Sequence, residues 1–124
     1  LFISLMARGK APHIHGDGTQ SRDFTYIDNV VQANLRAAST PGVSGEVFNV
    51  ACGQRYTLLD LVNSLNTILD TSIQPTFGPP RAGDVKHSLA DIEKGRRLLG
   101  YEPSTTFEEG LERTVVWGRA QVAS

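Results

Sequence analysis

Hydrophobic residues recur every three or four positions in the middle of the chain, which is the spacing of one face of an α-helix. The clearest run follows Thr57, and Asp60 three residues later completes an approximate capping box. Its apolar positions are Leu58, Leu61, Val62, Leu65, Ile68 and Leu69. The pattern predicts an amphipathic helix from residue 58 to residue 69.

Two more helices are predicted before this run. Residues 1–6 are apolar and resemble the middle of a helix, which ends at Arg8-Gly9-Lys10. The other helix is capped by Asp28 or Asn29 and ends at Thr40-Pro41-Gly42. The residues predicted to share its apolar face are Val31, Leu35 and Ala38.

Two helices are predicted near the end of the chain. The first begins at Asp91 and ends at Gly100, and the second begins at Thr106 with Glu109 three residues later. The apolar face of the second consists of Phe107, Leu111 and Val115.

Four short runs rich in strand-forming residues lie between the helices. They are His13–His15, Phe24–Ile27, Glu46–Ala51 and Ile73–Phe77, and the third is the strongest candidate. Residues 78–84 predict a loop, because their glycines and prolines suit neither a ladder nor a helix. The alternation of strands and helices indicates an α/β fold.

The composition excludes several classes of protein. Twelve basic and thirteen acidic residues give a net charge of −1, so we expect no nucleic-acid partner. The single cysteine, Cys52, excludes an internal disulfide and suits a reducing compartment. No histidine is near it in sequence, so we interpret it as a small buried residue. No membrane-length apolar run or signal peptide is visible, which predicts a cytoplasmic protein.

The 124 residues are expected to form a single unit, residues 1–124, because no repeat or linker divides them. The chain opens on apolar helical residues without an initiator methionine. We therefore expect it to be a piece of a longer protein.

Two loops place an arginine close to an aspartate. Arg22 precedes Asp23, and Arg81 lies three residues before Asp84. The planar fork of a guanidinium matches phosphate oxygens, so two such groups could grip a diphosphate while an aspartate accepts hydrogen bonds from ribose hydroxyls. The alternative is that each arginine is solvated or pairs with the aspartate of its own loop.

The histidines permit another interpretation. His13 and His15 would point to the same side of a strand, as in a two-histidine metal site. No third ligand has suitable spacing, so we expect no metal. His87 is interpreted as a surface residue.

Five segments together resemble the C-terminal half of the NAD-dependent nucleotide-sugar epimerases and dehydratases, which are extended short-chain dehydrogenases. They are residues 13–18, 21–28, 46–50, 80–84 and 88–91, in the order and spacing of that family. Within the family, residues 26–34 look most like the UDP-hexose 4-epimerases that accept N-acetylated sugars. The resemblance implies the C-terminal, substrate-binding portion of that fold without its N-terminal Rossmann core.

The resemblance also implies contacts with a UDP-sugar. His13, Ile14 and His15 would border the uracil, partly through backbone groups. His15 stands where the family usually has phenylalanine or tyrosine, and an imidazole can stack on a pyrimidine with less area.

The remaining implied contacts lie further along the chain. Arg22 and Arg81 would grip the diphosphate, and Asp84 would hold the ribose. Ser88 would be a small residue near the 2-substituent of the sugar, which leaves space for an acetamido group. The alternative for Ser88 is that it helps to start the helix that follows Asp91.

Two features of the family's chemistry are missing from the sequence. An NAD site needs a glycine-rich turn between strand and helix, but Gly16-Asp17-Gly18 is followed at the third position by Ser21. The family's catalytic tyrosine is followed by lysine four residues later. The residues at that distance from the three tyrosines here are Val30, Asp60 and Thr105. We therefore expect no NAD site and no catalytic residue in this chain, and NAD only in the intact parent.

Three hypotheses follow. The first is the substrate-binding portion of a UDP-glucose or UDP-N-acetylglucosamine 4-epimerase, inactive on its own. The second is a stand-alone nucleotide-sugar binding module, and the third is part of a dehydratase, decarboxylase or reductase. In the first case we expect homo-oligomers through exposed apolar surface, including a strand edge at Val47 to Val50.

Overall fold

The computed structural model describes residues 1–123, which form five helices and four short strands. The helices are α1 (Phe2–Met6), α2 (Ile27–Ser39), α3 (Leu58–Leu69), α4 (Glu93–Leu99) and α5 (Phe107–Ala123). The strands are β1 (His13–His15), β2 (Ser21–Arg22), β3 (Tyr56–Thr57) and β4 (Thr76–Gly78). The predicted α/β class is confirmed.

The strands form two small ladders. β1 pairs with β4 in parallel, with His13 opposite Thr76 and His15 opposite Gly78. β2 pairs with β3 antiparallel, with Ser21 opposite Thr57. β1 coincides with its prediction, whereas β4 begins three residues later than the predicted strand at Ile73–Phe77.

The larger core lies between α1, α3 and α5, with β1 at its side. Its buried residues are Met6, Ile14, Val62, Leu65, Leu69, Phe107, Leu111 and Val115. The predicted faces of α3 and α5 supply six of them, so those two predictions are confirmed. Tyr56 stacks on Phe107 with 4.0 Å between ring centroids, which anchors β3 to the same core.

A second, smaller core packs α2 against α4. Its buried residues are Ala33, Ala51, Ile92, Leu99 and Tyr101. The Tyr101 hydroxyl donates to the carbonyl oxygen of Ala51 at 2.7 Å, so the buried phenol has a partner.

The buried Asn29 side chain joins α2 to the segment before α5. Its Nδ2 donates to the carbonyl oxygen of Thr105 at 2.9 Å. Its Oδ1 accepts from the backbone N–H groups of Ser104 at 3.0 Å and Thr105 at 3.1 Å. Asn29 therefore satisfies three backbone groups and does not cap the helix, which starts at Ile27 after the N-cap residue Tyr26.

The predicted apolar face of α2 is wrong. Val31 and Leu35 are exposed, as is Ala38, while Asn29 and Ala33 face the core. The hydrogen bonds of Asn29 fix which side of the helix turns inward. Ile27, Val31 and Leu35 consequently form an exposed apolar stripe along α2.

Two predicted strands are absent from the described residues. Residues 46–51 pair with no other strand there, and Val47 is 79% exposed. A strand is defined by a ladder, so a strand-forming sequence without a partner remains irregular. Residues 24–27 form no strand either, because the chain turns into α2 at Tyr26.

The start of α3 and the end of α4 agree with their sequence signals. Thr57 Oγ1 accepts from the N–H of Asp60 at 3.0 Å, and Asp60 Oδ2 accepts from the N–H of Thr57 at 2.8 Å, which confirms the capping box of α3. Gly100 ends α4 in the left-handed conformation, with φ of 64°. Among residues 1–123, no helix is both long enough and apolar enough to cross a membrane.

Candidate functional site

A cleft of about 660 Å³ opens between the end of the β1–β4 ladder and the loop of residues 79–90. We call it the ladder cleft. It is lined by His15, Gly16, Asp17, Gln20, Phe77, Gly78, Pro80, Arg81, Asp84 and Lys86. Three residues that the sequence singled out, His15, Arg81 and Asp84, are therefore brought together.

Arg22 reaches this cleft through an ion pair. Its Nη2 lies 2.7 Å from Oδ1 of Asp84. Its Nη1 donates to the carbonyl oxygens of Ser21 at 2.7 Å and Lys86 at 3.4 Å. Because Asp84 closes a turn with Arg81, the pair joins the two arginine-bearing loops at one end of the cleft.

Arg22 does not pair with Asp23, and Asp84 pairs with Arg22, so the alternative of ion pairs within each loop is wrong. The alternative of a solvated side chain stays a prediction for Arg81, which is exposed.

The two carboxylate oxygens of Asp23 accept from the backbone N–H groups of Cys52 at 3.0 Å and Gly53 at 2.8 Å. Burial, followed by the charge of Asp23, raises the pKa of the half-buried Cys52 thiol. The sulfur thus remains protonated at neutral pH, which fits the interpretation that it is not a nucleophile.

The turn after β1 lines the cleft with Gly16, Asp17 and Gln20. Gly18 has φ of 83°, and a Cβ atom there would lie 2.7 Å from the Leu59 side chain, so only glycine fits. Gln20 Nε2 donates to the carbonyl oxygen of His15 at 2.7 Å, which holds the turn against β1. Hydrogen bonds from the hydroxyl and the N–H of Thr19 lower the pKa of Asp17 at the tip.

The two histidines of β1 lie on one side of the strand, as predicted. Their ring centroids are 4.9 Å apart in an edge-to-face arrangement. His13 Nδ1 lies 2.8 Å from Oγ1 of Thr76, and a Cβ at Gly78 would meet the His13 ring at 2.7 Å. Residues 1–123 contain no group of three His, Cys, Asp or Glu side chains placed to hold a metal.

Ile14 and Ser88 lie outside the lining of the cleft. The Ile14 side chain is part of the larger core, so only its backbone could contribute to binding. Ser88 donates its N–H to the carbonyl oxygen of Ser21 at 3.0 Å. This bond attaches Ser88 to β2 and not to α4, which starts with the N–H of Glu93 bonded to Asp91.

His87 is exposed, as predicted, but it also contacts a buried side chain. Its Nδ1 lies 2.7 Å from Oγ of Ser21, which is buried in β2. The interpretation from sequence missed this contact because 66 residues separate the two side chains. It also missed Gln20, Phe77 and Lys86, which carry no motif of their own.

A second concavity of about 710 Å³ is mainly apolar and lies on another face, between the start of α1, the start of α2 and α5. We call it the apolar groove. Leu1, Ile27 and Trp117 line it and are largely exposed. The Arg113 guanidinium lies 5.8 Å from the centre of the Tyr26 ring at its edge.

Comparison with known proteins assigns the fold. The sequence pattern of the GDP-mannose 4,6-dehydratase family matches residues 1–114. The chain belongs to this family. The five motifs predicted such a relationship, and the match confirms it.

Three solved structures of nucleotide-sugar epimerases resemble this member of the family. UDP-glucose 4-epimerase from Thermotoga maritima, solved with UDP-glucose, gives a TM-score of 0.91 at 40% identity, covering 98% of this chain and 38% of that one. UDP-glucuronic acid 4-epimerase from Bacillus cereus, in complex with UDP-glucuronic acid and NAD, gives 0.91 at 34% identity, covering 97% and 38%. UDP-N-acetylglucosamine 4-epimerase from Methanobrevibacter ruminantium, in complex with UDP-N-acetylmuramic acid, gives 0.89 at 38% identity, covering 97% and 38%.

The chain thus spans about 38% of the length of these relatives. It corresponds to the C-terminal portion of the epimerase and dehydratase fold.

Proposed function

We propose that residues 1–124 are the substrate-binding domain of a longer NAD-dependent UDP-hexose 4-epimerase, which we call the parent enzyme. The observation that carries the proposal is the ion pair of Arg22 with Asp84, which brings both arginine loops to the ladder cleft. The volume of the cleft, about 660 Å³, lies within the range of small-molecule sites. The related structures with UDP-sugars support the choice of ligand.

The diphosphate is assigned to the arginine end of the cleft. Among the hydrogen bonds between described residues, none uses Nε of Arg22, so Nε and the second Nη2 hydrogen form an edge that can donate to phosphate. Arg81 is exposed at the same end. Two guanidinium groups there favour a doubly charged diphosphate over a neutral sugar.

The nucleoside is assigned to the rest of the cleft. We assign Asp84 the ribose: its Oδ1 is held by Arg22, and its other carboxylate oxygen would accept hydrogen bonds from the ribose hydroxyls. The His15 ring and the half-exposed Phe77 ring both line the cleft, which supports stacking with the uracil. Ser88, which is bonded to Ser21 beside Arg22, would lie beyond the diphosphate, towards the sugar.

The cofactor of the parent enzyme would be bound outside these residues. The turn Gly16-Asp17-Gly18 leads from β1 into β2 and not into a helix, so it presents no helix N-terminus to a pyrophosphate. This turn therefore does not fit the pyrophosphate of NAD, which supports assigning the cofactor to the rest of the parent enzyme. The role assigned to this chain is to bind and orient the UDP-sugar in the cytoplasm.

The proposal is tested by comparing the parent enzyme with the isolated chain. We expect the parent to interconvert UDP-glucose and its 4-epimer, and the purified 124-residue protein to show neither epimerisation nor NAD binding. Coupled assays and NAD titrations followed by calorimetry measure the two activities. Epimerisation of UDP-glucose by the isolated chain would overturn the assignment.

Two alternatives predict other results. A stand-alone nucleotide-sugar binding module would have a start codon just before Leu1. The parent enzyme would instead have a glycine-rich strand-turn-helix and a Tyr-x-x-x-Lys motif upstream. In the other alternative the parent is a dehydratase, decarboxylase or reductase and releases a 4-keto, decarboxylated or reduced sugar. The family match to a dehydratase supports only the first of these three. Product analysis by mass spectrometry separates these reactions.

A further inference from the structure

The loop of residues 79–90 carries Arg81, Asp84 and Ser88 but has no helix or strand of its own. The loop is attached to the rest of the protein at Ser21 and Arg22 of β2. Ser21 in β2 donates its N–H to the carbonyl oxygen of Lys86 at 2.8 Å and accepts the N–H of Ser88 at 3.0 Å. The loop therefore meets β2 at the residues on either side of His87.

The side chain of His87 completes this attachment. Its Nδ1 lies 2.7 Å from the hydroxyl of Ser21, which is 4% exposed. A hydroxyl withdrawn from water needs a partner, so loss of the imidazole leaves it unsatisfied. The three bonds together fix the register of the loop relative to Arg22, the residue that follows Ser21.

The register decides where the binding groups lie. Asp84 is three residues before His87 and bonds with Arg22, and Ser88 is the next residue after it. A shift of the loop by one residue would move Asp84 away from Arg22 and turn neighbouring side chains to opposite sides.

We propose that His87 is a positioning residue, whose hydrogen bond with Ser21 sets the register of residues 79–90 so that Asp84 and Arg81 reach the ladder cleft. The inference rests on the proposed binding of a nucleoside diphosphate in that cleft. His87 itself is assigned no contact with the ligand.

The test measures the Kd for UDP in the parent enzyme by calorimetry. His87→Ala and Ser21→Ala each delete one side of the bond, and each should raise Kd about fivefold, the equivalent of one hydrogen bond. The double variant should be no weaker than either single variant, because both remove the same interaction. His87→Asn places an amide near the position of Nδ1 and should return Kd to within about twofold of the wild type.

A matched control separates positioning from stability. Thr71→Ala removes a hydroxyl that donates to Asn66 at 2.8 Å, at the end of α3 and outside the cleft. It should lower Tm without changing Kd. Unchanged Kd in both single variants, additive losses in the double variant, or an Asn variant as weak as the Ala variant would each overturn the role of His87.

A measurement without ligand separates this inference from the proposed function. In the 124-residue protein, amide hydrogen exchange at Ser88 should become faster in His87→Ala and Ser21→Ala, while the amides of α3 keep their protection. Protection at Ser88 that is the same in wild type and variants would refute the attachment. A wild-type parent that does not bind UDP would instead refute the proposed function.

Discussion

At the scale of single residues, the candidate site is organised by one ion pair that joins distant parts of the chain. Arg22 and Asp84 are 62 residues apart, and their atoms lie 2.7 Å apart. The nearer carboxylate, Asp23, is occupied by the backbone of Cys52 and Gly53. Adjacent residues in sequence thus take part in different contacts, which the order of residue types does not reveal.

The arginines supply the first prediction. In the parent enzyme, Arg22→Ala and Arg81→Ala should each weaken UDP-sugar binding by about 1.5–3 kcal/mol, the usual loss for a charge-assisted hydrogen bond. Calorimetry measures the change. Arg97→Ala is a matched control, because Arg97 is exposed on α4, outside the cleft. Unchanged affinity in both cleft variants would show that these arginines are solvated loop residues that do not bind the UDP-sugar.

Ser88 supplies a prediction about the sugar. If its small side chain leaves room for the 2-substituent, Ser88→Tyr should suppress turnover of UDP-N-acetylglucosamine and spare UDP-glucose. The values of kcat/KM for both sugars, together with Tm, measure this. An equal fall for both substrates with a lower Tm would show that Ser88 has a structural role only.

At the scale of elements, the sequence predicted correctly those helix ends and helix faces that depend on neighbouring residues. The capping box of α3, the glycine that ends α4 and the buried face of α5 all depend on residues within a few positions of each other. The predicted buried face of α2 was wrong. Asn29 bonds with backbone groups about 75 residues away, and these hydrogen bonds turn the side with Asn29 towards the core and the apolar stripe towards solvent. Only the structure shows such contacts.

The strands also depend on partners that are distant in sequence. β2 and β3 have two residues each, and no residue pattern marks so short a ladder. Residues 46–51 have the composition of a strand but no pairing partner among the described residues. Of the residues that the sequence singled out, Arg81, Asp84 and His15 line the ladder cleft and Arg22 is bonded to Asp84, while their binding roles stay predictions. The attachment of the loop by His87 was not predicted.

Tyr101, which follows α4, gives a prediction for the packing of elements. Burial, followed by the charges of Cys52 and Asp23, raises the pKa of Tyr101 from 10 to about 12. The unfolded chain ionises first, so the stabilisation is fully present below pH 10 and is lost as the pH rises from 10 to 12.

Urea denaturation from pH 7 to pH 12 tests this, with Tyr101→Phe as the control. At pH 7 the variant should be less stable by about 1–3 kcal/mol, because the carbonyl of Ala51 loses its donor. Above pH 10 the difference should shrink by about 1.4 kcal/mol per pH unit. A constant difference across the range would contradict the effect of burial.

At the scale of the whole molecule, apolar surface is exposed on more than one side. Ile27 and Leu35 on α2 are 60% and 66% exposed, and Trp117 in the apolar groove is 65% exposed. Scattered apolar side chains are ordinary, but a stripe along a helix beside a groove is typical of surface that another protein covers.

We therefore expect the 124-residue protein to form homo-oligomers, as measured by sedimentation velocity over a wide concentration range. Leu35→Glu should shift the distribution towards monomer, because it places a charge in the stripe. Asn34→Glu, at an exposed neighbouring position of the same helix, should leave it unchanged. A clean monomer at all concentrations would count against the prediction.

The parallel pairing of β1 with β4 has a consequence for how the protein is made. His13 and Thr76, which lie opposite each other in the ladder, are 63 residues apart in sequence, and Ser21 and His87 are 66 residues apart. Closing such loops costs chain entropy that no local contact offsets beforehand. The capping box of α3 joins residues three positions apart, whereas the cleft requires residues 76–88 in addition to β1 and β2. The candidate site thus forms later than the elements that depend on neighbouring residues, and a nucleotide that binds there can stabilise the chain only once residue 88 has been made.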